Sequence, residues 1–117
     1  MNLRECYAAL DADYEDVMER FLREEVVLRF LRKLEQNPDY DRMLTAYEQK
    51  DYAGVFTTTH NLKGVCGTLG LKPLAKCFYD ICEEVRYGAP GENFVPLVER
   101  VQQMYRATID AISGLEE

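Results

Sequence analysis

DYAGVFTTTHNLKGVCGTLG, residues 51–70, carries its apolar side chains at helical spacing. On a wheel turned at about 100° per residue, Val55, Thr58, Leu62, Val65, Cys66 and Leu69 gather on one side. The spacing predicts one helix with that side in the core, closing near Gly70, where glycine can take the left-handed turn that ends a helix. Opposite lie His60, Ala53, Phe56, Thr57, Lys63, Gly64 and Gly67, a set that is small or flexible apart from one aromatic ring. His60 is therefore expected to point outward.

The same periodicity continues on both sides of this segment, and no alternating strand pattern competes with it. Before it, Asn2 is placed to cap a short helix over Leu3 to Leu10, and Asp13 to cap Tyr14 to Phe21. Glu24 to Glu35 follows, with Val27, Phe30, Leu31 and Leu34 on one stripe. Asn37-Pro38 ends it, because proline disfavours helix for the residue before it. Asp39 to Gln49 carries Tyr40, Met43, Leu44 and Tyr47. After Gly70, Pro73 fits the first turn of a new helix whose stripe is Leu74, Phe78, Ile81 and Val85, closed by Tyr87 to Gly91. A last helix over Glu92 to Leu115 repeats the spacing with Phe94, Leu97, Val101, Met104, Thr108 and Ile112. Long helices joined by short links predict an all-α fold, an antiparallel four-helix bundle with additional short N-terminal helices, as one domain over residues 1–117.

Composition narrows the partners. At 117 residues the chain can bury a core without disulfides or metal. It is 47% hydrophobic and 30% charged, too apolar for disorder and too interrupted by charge for a membrane protein. The net charge of −7 repels phosphate backbones, which argues against nucleic acid. The N-terminus lacks the apolar run of a signal peptide, and no stretch approaches the ~18 to 20 apolar residues of a membrane span. The four cysteines, Cys6, Cys66, Cys77 and Cys82, form no C-x-x-C pair and suit reduced thiols as small core hydrophobes. A cytoplasmic protein is expected.

The exposed face of the central helix is where chemistry concentrates. Each glycine in a helix interior costs about 1 kcal/mol relative to Ala, and Gly64 and Gly67 sit one and two turns beyond His60. A helix surface stripped of side chains beside a histidine lets another molecule approach the imidazole closely. Lys63 adds an ammonium on the adjacent edge, and Phe56 with Thr57 offers a contact for a docking partner. Together these describe an accessible nucleophile for an anionic electrophile, a phosphoryl group above all. An imidazole in water titrates near ~6.5, so an exposed one is mostly neutral near pH 7 and attacks without a dedicated base.

His60-Asn61-Leu62-Lys63-Gly64, followed by Gly67 and Leu69-Gly70-Leu71, resembles the H-x-L-K-G motif region of histidine-containing phosphotransfer (HPt) domains. The resemblance is strongest over residues 52–74, and the helix order elsewhere is compatible with that family's four-helix fold. It implies a phosphorelay intermediate in which His60 takes a phosphoryl group from an aspartyl phosphate on a receiver domain and passes it to another receiver. Lys63 would steady the phosphate and Gly64 would keep the surface open. Response-regulator receiver domains are the implied partners, with a hybrid histidine kinase as a further candidate. No cofactor is expected on this chain, and magnesium is expected on the partner receiver only. The chain departs from the family at Thr59, where Ala is frequent, and at Val65 and Cys66, where small residues are frequent. The wheel puts Thr59 at the core boundary and turns the other two inward. In some members a polar side chain on the following helix hydrogen-bonds the imidazole. The matching position here is Cys82, with Tyr79 and Glu83 as possible substitutes.

Other chemistries fare worse. His60 and Cys66 point to different sides of one helix, and Cys77 and Cys82 are five apart, so neither pair has the i, i+4 spacing that aims two ligands at one metal. No metal site is expected. No cluster of positive charge neighbours a cysteine to make it reactive. No second catalytic group accompanies His60, so independent catalytic activity is not expected, and one helix presents every matched residue, so a monomer suffices. The alternative is a binding-only helical module that docks receiver or kinase domains without carrying phosphate.

Overall fold

The computed structural model describes residues 1–116. Seven helices run α1 (Leu3–Ala9), α2 (Tyr14–Phe21), α3 (Glu24–Glu35), α4 (Asp39–Glu48), α5 (Tyr52–Thr68), α6 (Lys72–Val85) and α7 (Phe94–Ser113), with no strand among the described residues. Local chemistry sets their starts. The Asn2 side chain accepts the Glu5 backbone N–H at 2.8 Å while Glu5 accepts the Asn2 N–H, a reciprocal cap. Asp13 accepts the Asp16 N–H and Asp51 that of Gly54, each at 3.0 Å. Pro73 sits in the first turn of α6, where its missing N–H costs nothing.

Four antiparallel columns make the bundle: α3 continued by α4, then α5, α6 and α7. In sequence order α4 packs on α5, α5 on α6 and α6 on α7. Aromatic contacts close the ring from α7 to α4. Tyr105 stacks on Tyr40 at 3.8 Å, and Phe94 meets Tyr47 at 5.4 Å. The break between α3 and α4 falls at Asn37-Pro38, so the first column is two helices end to end. The core is continuous across all columns. Val27, Leu31, Met43, Val55, Leu62, Phe78, Ile81, Val101 and Ile112 are fully enclosed, and so are three cysteines, Cys6, Cys66 and Cys82, with Cys77 nearly so.

Outside α5, three expected core positions shift. Phe30 is not in the α3 stripe; it lies at the surface against Phe21, ring centroids 5.2 Å apart. In α7 Phe94, Val101, Thr108 and Ile112 are buried as expected, but Val98 and Tyr105 are enclosed in place of Leu97 and Met104, which are half-buried. The two registers fit helical spacing equally well. Tyr105 decides between them, because only the observed register stacks it on Tyr40 and lets its hydroxyl donate to the Leu34 carbonyl at 3.4 Å. The last helix also starts later than expected, at Phe94, and ends earlier, at Ser113.

The N-terminal helices cover the end of the bundle where α5 finishes. The α5 terminus is a Schellman turn: Gly70 has φ +71°, Leu71 donates to the Cys66 carbonyl at 2.9 Å and Gly70 to that of Gly67 at 3.1 Å. Tyr7 donates to the Leu69 carbonyl at 2.6 Å, Arg20 to that of Thr68, and the Asp13 N–H to that of Gly70 at 2.8 Å. α1 and α2 thus satisfy the carbonyls that the end of a helix leaves unpaired.

Candidate functional site

Along α5 the enclosed residues are Val55, Thr58, Thr59, Leu62 and Cys66. The two threonines cost little there because each hydroxyl donates to the carbonyl a turn earlier, Thr58 to Gly54 at 2.8 Å and Thr59 to Val55 at 2.7 Å. Thr59 is fully inside the core rather than at its boundary. Val65, expected to turn inward, is half-buried and forms a groove wall instead. Burying this face leaves His60, Asn61, Thr57 and Gly64 exposed on the other, with Phe56, Lys63 and Gly67 half-buried along its edges.

The glycines leave open space. A Cβ added at Gly64 or at Gly67 would meet nothing within 4 Å. Neither glycine is therefore required by a neighbouring helix, and the cost of two glycines in mid-helix is offset by nothing inside the molecule. Lys63 reaches across to α6, where its ammonium lies 5.3 Å from the Tyr79 ring centroid. Lys76 approaches the same ring at 5.4 Å and is also paired with Asp80. Lys63 is thus held beside the site by an aromatic face.

A groove of about 660 Å³ opens next to His60. Its far side is Phe21 of α2 with Phe30 and Lys33 of α3; its near side is His60, Asn61, Gly64, Val65 and Thr68 of α5. Sequence reading missed this wall, since Phe30 looks like a core residue by spacing and nothing local reports that α2 and α3 flank the histidine. The only available signal was Phe21 and Phe30 as large rings next to charged runs.

Residues 3–111 match the family model described as Hpt domain. The chain belongs to the Hpt domain family. Hpt domains are the histidine phosphotransfer modules of phosphorelays, carriers of a phosphoryl group rather than catalysts in their own right. No significant match exists among curated proteins or among solved structures.

In this Hpt domain the side chains that could orient the imidazole from α6 are engaged elsewhere. Cys82 is enclosed, and its thiol faces the Phe56 carbonyl at 3.9 Å. Glu83 accepts from Arg86 at 2.6 and 3.0 Å, and that guanidinium holds its carboxyl below the usual range. Tyr79 lies under Lys63. Among the described residues no hydrogen bond reaches the His60 ring; its aromatic neighbour is Phe56, a turn earlier, at 5.9 Å between centroids and 23° between planes. Phe56 is flanked in turn by Arg86, 5.6 Å from its centroid. Among the described residues no group of three or more His, Cys, Asp or Glu side chains is placed to hold a metal ion, and no helix is long and apolar enough to cross a membrane.

Proposed function

We propose that this Hpt domain carries phosphate on His60 between receiver domains. The observation that carries the reading is the open strip around an exposed histidine: Gly64 and Gly67 have empty space where any other residue would place a side chain. In the transfer, an imidazole nitrogen uses its lone pair to form the N–P bond while the P–O bond to the donor's aspartyl carboxylate breaks and that carboxylate leaves with the electron pair. The other ring nitrogen then gives its proton to solvent. Lys63 lies one turn along on the edge of the strip and would steady the phosphoryl oxygens, a task suited to a point charge that can pivot.

The groove gives such a partner its seat. His60 itself lines it, so a receiver whose aspartyl phosphate reaches the ring covers Phe21, Phe30 and Val65 as well. Thr57 and the free edge of Phe56 extend the contact on the other side of the histidine. Magnesium and the remaining charge stabilisation belong to the receiver in this reading, and the chain itself acts as a monomer in the cytoplasm.

The test mixes the purified domain with phosphorylated receiver domains and follows intact mass and acid lability, with His60→Gln as control. Acid-labile phosphate on the wild type and none on the variant, at unchanged helicity, is the expected result. Binding of receivers with no phosphate on any histidine would replace this reading with a docking module.

A further inference from the structure

The group that fixes the imidazole in a productive orientation has to be sought within α5. A histidine at the surface with no hydrogen bond keeps its rotamer freedom, and attack on phosphorus needs one orientation. The α6 side chains that could restrain it are spent: Cys82 on the Phe56 carbonyl, Glu83 on Arg86, and Tyr79 between two lysines. What remains is Phe56, whose ring lies nearly parallel to the imidazole at 5.9 Å and 23°, within the range of offset aromatic pairs. Phe56 is itself fixed. It is half-buried, and the Arg86 guanidinium lies 5.6 Å from it, pinned by two hydrogen bonds to Glu83.

We infer that Phe56 is the positioning residue for His60, holding the imidazole by its face in place of a hydrogen bond from α6. The inference rests on His60 being the phosphoacceptor, and deepens that reading. Its chemical sense follows from the charge of the ring. When the nitrogen lone pair forms the bond to phosphorus, and before the second nitrogen releases its proton, the imidazole is cationic. An aromatic face one turn away attracts that cation more than the neutral ring, so the stack favours the transition state as well as the geometry.

The experiment uses a donor too small to dock. Phosphoramidate transfers its phosphoryl group to a free imidazole with release of ammonia, so the rate at which it loads His60 reports the ring and not the receiver interface. Wild type, Phe56→Leu and Phe56→Tyr are compared by intact mass during loading, and by the proton NMR signals of the imidazole, which are unambiguous because the chain has one histidine. Leucine keeps an apolar side chain over the same surface and removes the aromatic face; tyrosine keeps it. The expected result is loading about 2- to 10-fold slower in Phe56→Leu, the scale of one aromatic pair, with displaced ring-proton shifts, and recovery of both in Phe56→Tyr. Equal loading rates and unmoved ring signals in Phe56→Leu overturn the inference. So does slower transfer from receivers alone with unaltered loading by phosphoramidate, which makes Phe56 a docking residue. A wild type that accepts phosphate from neither donor overturns the relay reading itself, while the ring signals still report whether Phe56 orients the imidazole.

Discussion

At the scale of single residues, the exposed strip of α5 separates stability from function. Gly64 has a helical position and empty space around it, so Gly64→Ala removes unfolded-chain entropy and adds no clash. Urea unfolding is expected to show a variant more stable by about 0.5–1 kcal/mol, while transfer from a phosphorylated receiver slows, because in the proposed transfer the methyl stands where the partner approaches. A stabilised variant with wild-type transfer would show that the open surface serves no partner. The outward aim of His60 is legible in the sequence because it needs only the angle between residues of one helix. The same holds for its nearness to Phe56, four residues earlier. The seat of Lys63 on Tyr79 is not legible, since it depends on how α5 and α6 are rotated against each other. The fate of Cys82 is hidden for the same reason: its position facing α5 can be read, but not that its thiol turns to a backbone carbonyl.

At the scale of elements, the end of α5 and the start of α2 form one joint. Gly70 is left-handed, and a Cβ there would come within 2.7 Å of the Asp13 carbonyl oxygen, backbone that cannot swing aside. Gly70→Ala is therefore expected to destabilise by at least about 1–2 kcal/mol, opposite in sign to Gly64→Ala, and the pair can be measured in one urea series. Across the joint, Lys72 donates to Asp13 at 2.9 Å, which together with the Asp16 N–H holds the Asp13 carboxyl below its usual range. A depressed carboxyl contributes stability above its unfolded pKa of about 3.9 and loses it as pH falls through the lower folded value. Asp13→Asn keeps a capping oxygen but not the charge. Its deficit in melting temperature should thus be present at neutral pH and vanish in acid below the ordinary carboxylate range; a deficit independent of pH would assign the effect to the cap. The caps Asn2 and Asp13 are legible because capping is local chemistry. The register of α7 was not. Leu97 with Met104 and Val98 with Tyr105 are equivalent by periodicity, and the choice is made by Tyr40 on a distant segment.

At the scale of the whole molecule, the bundle could be expected from helix lengths and short links, but the groove could not. It is assembled from α2, α3 and α5, and its rings sit at the surface only because α3 turns Phe30 away from the stripe that buries Leu31 and Leu34. The same packing has an experimental consequence through the cysteines. All four thiols are free and enclosed, one on α1, one on α5 and two on α6. Burial raises the thiols of Cys6, Cys66 and Cys77, that of Cys66 to about 12, so thiolate is scarce as well as inaccessible. A maleimide reagent can therefore reach them only when the protein breathes, and each modification records an opening event at a known address. Because α1 is a seven-residue helix at the periphery, Cys6 should be modified first and Cys66 last, read by peptide mass after timed pulses. Simultaneous modification of all four would mean that the molecule opens only as a whole. In the ordered case the native protein carries its own clocks, one for the end that braces the helix of His60 and one within that helix.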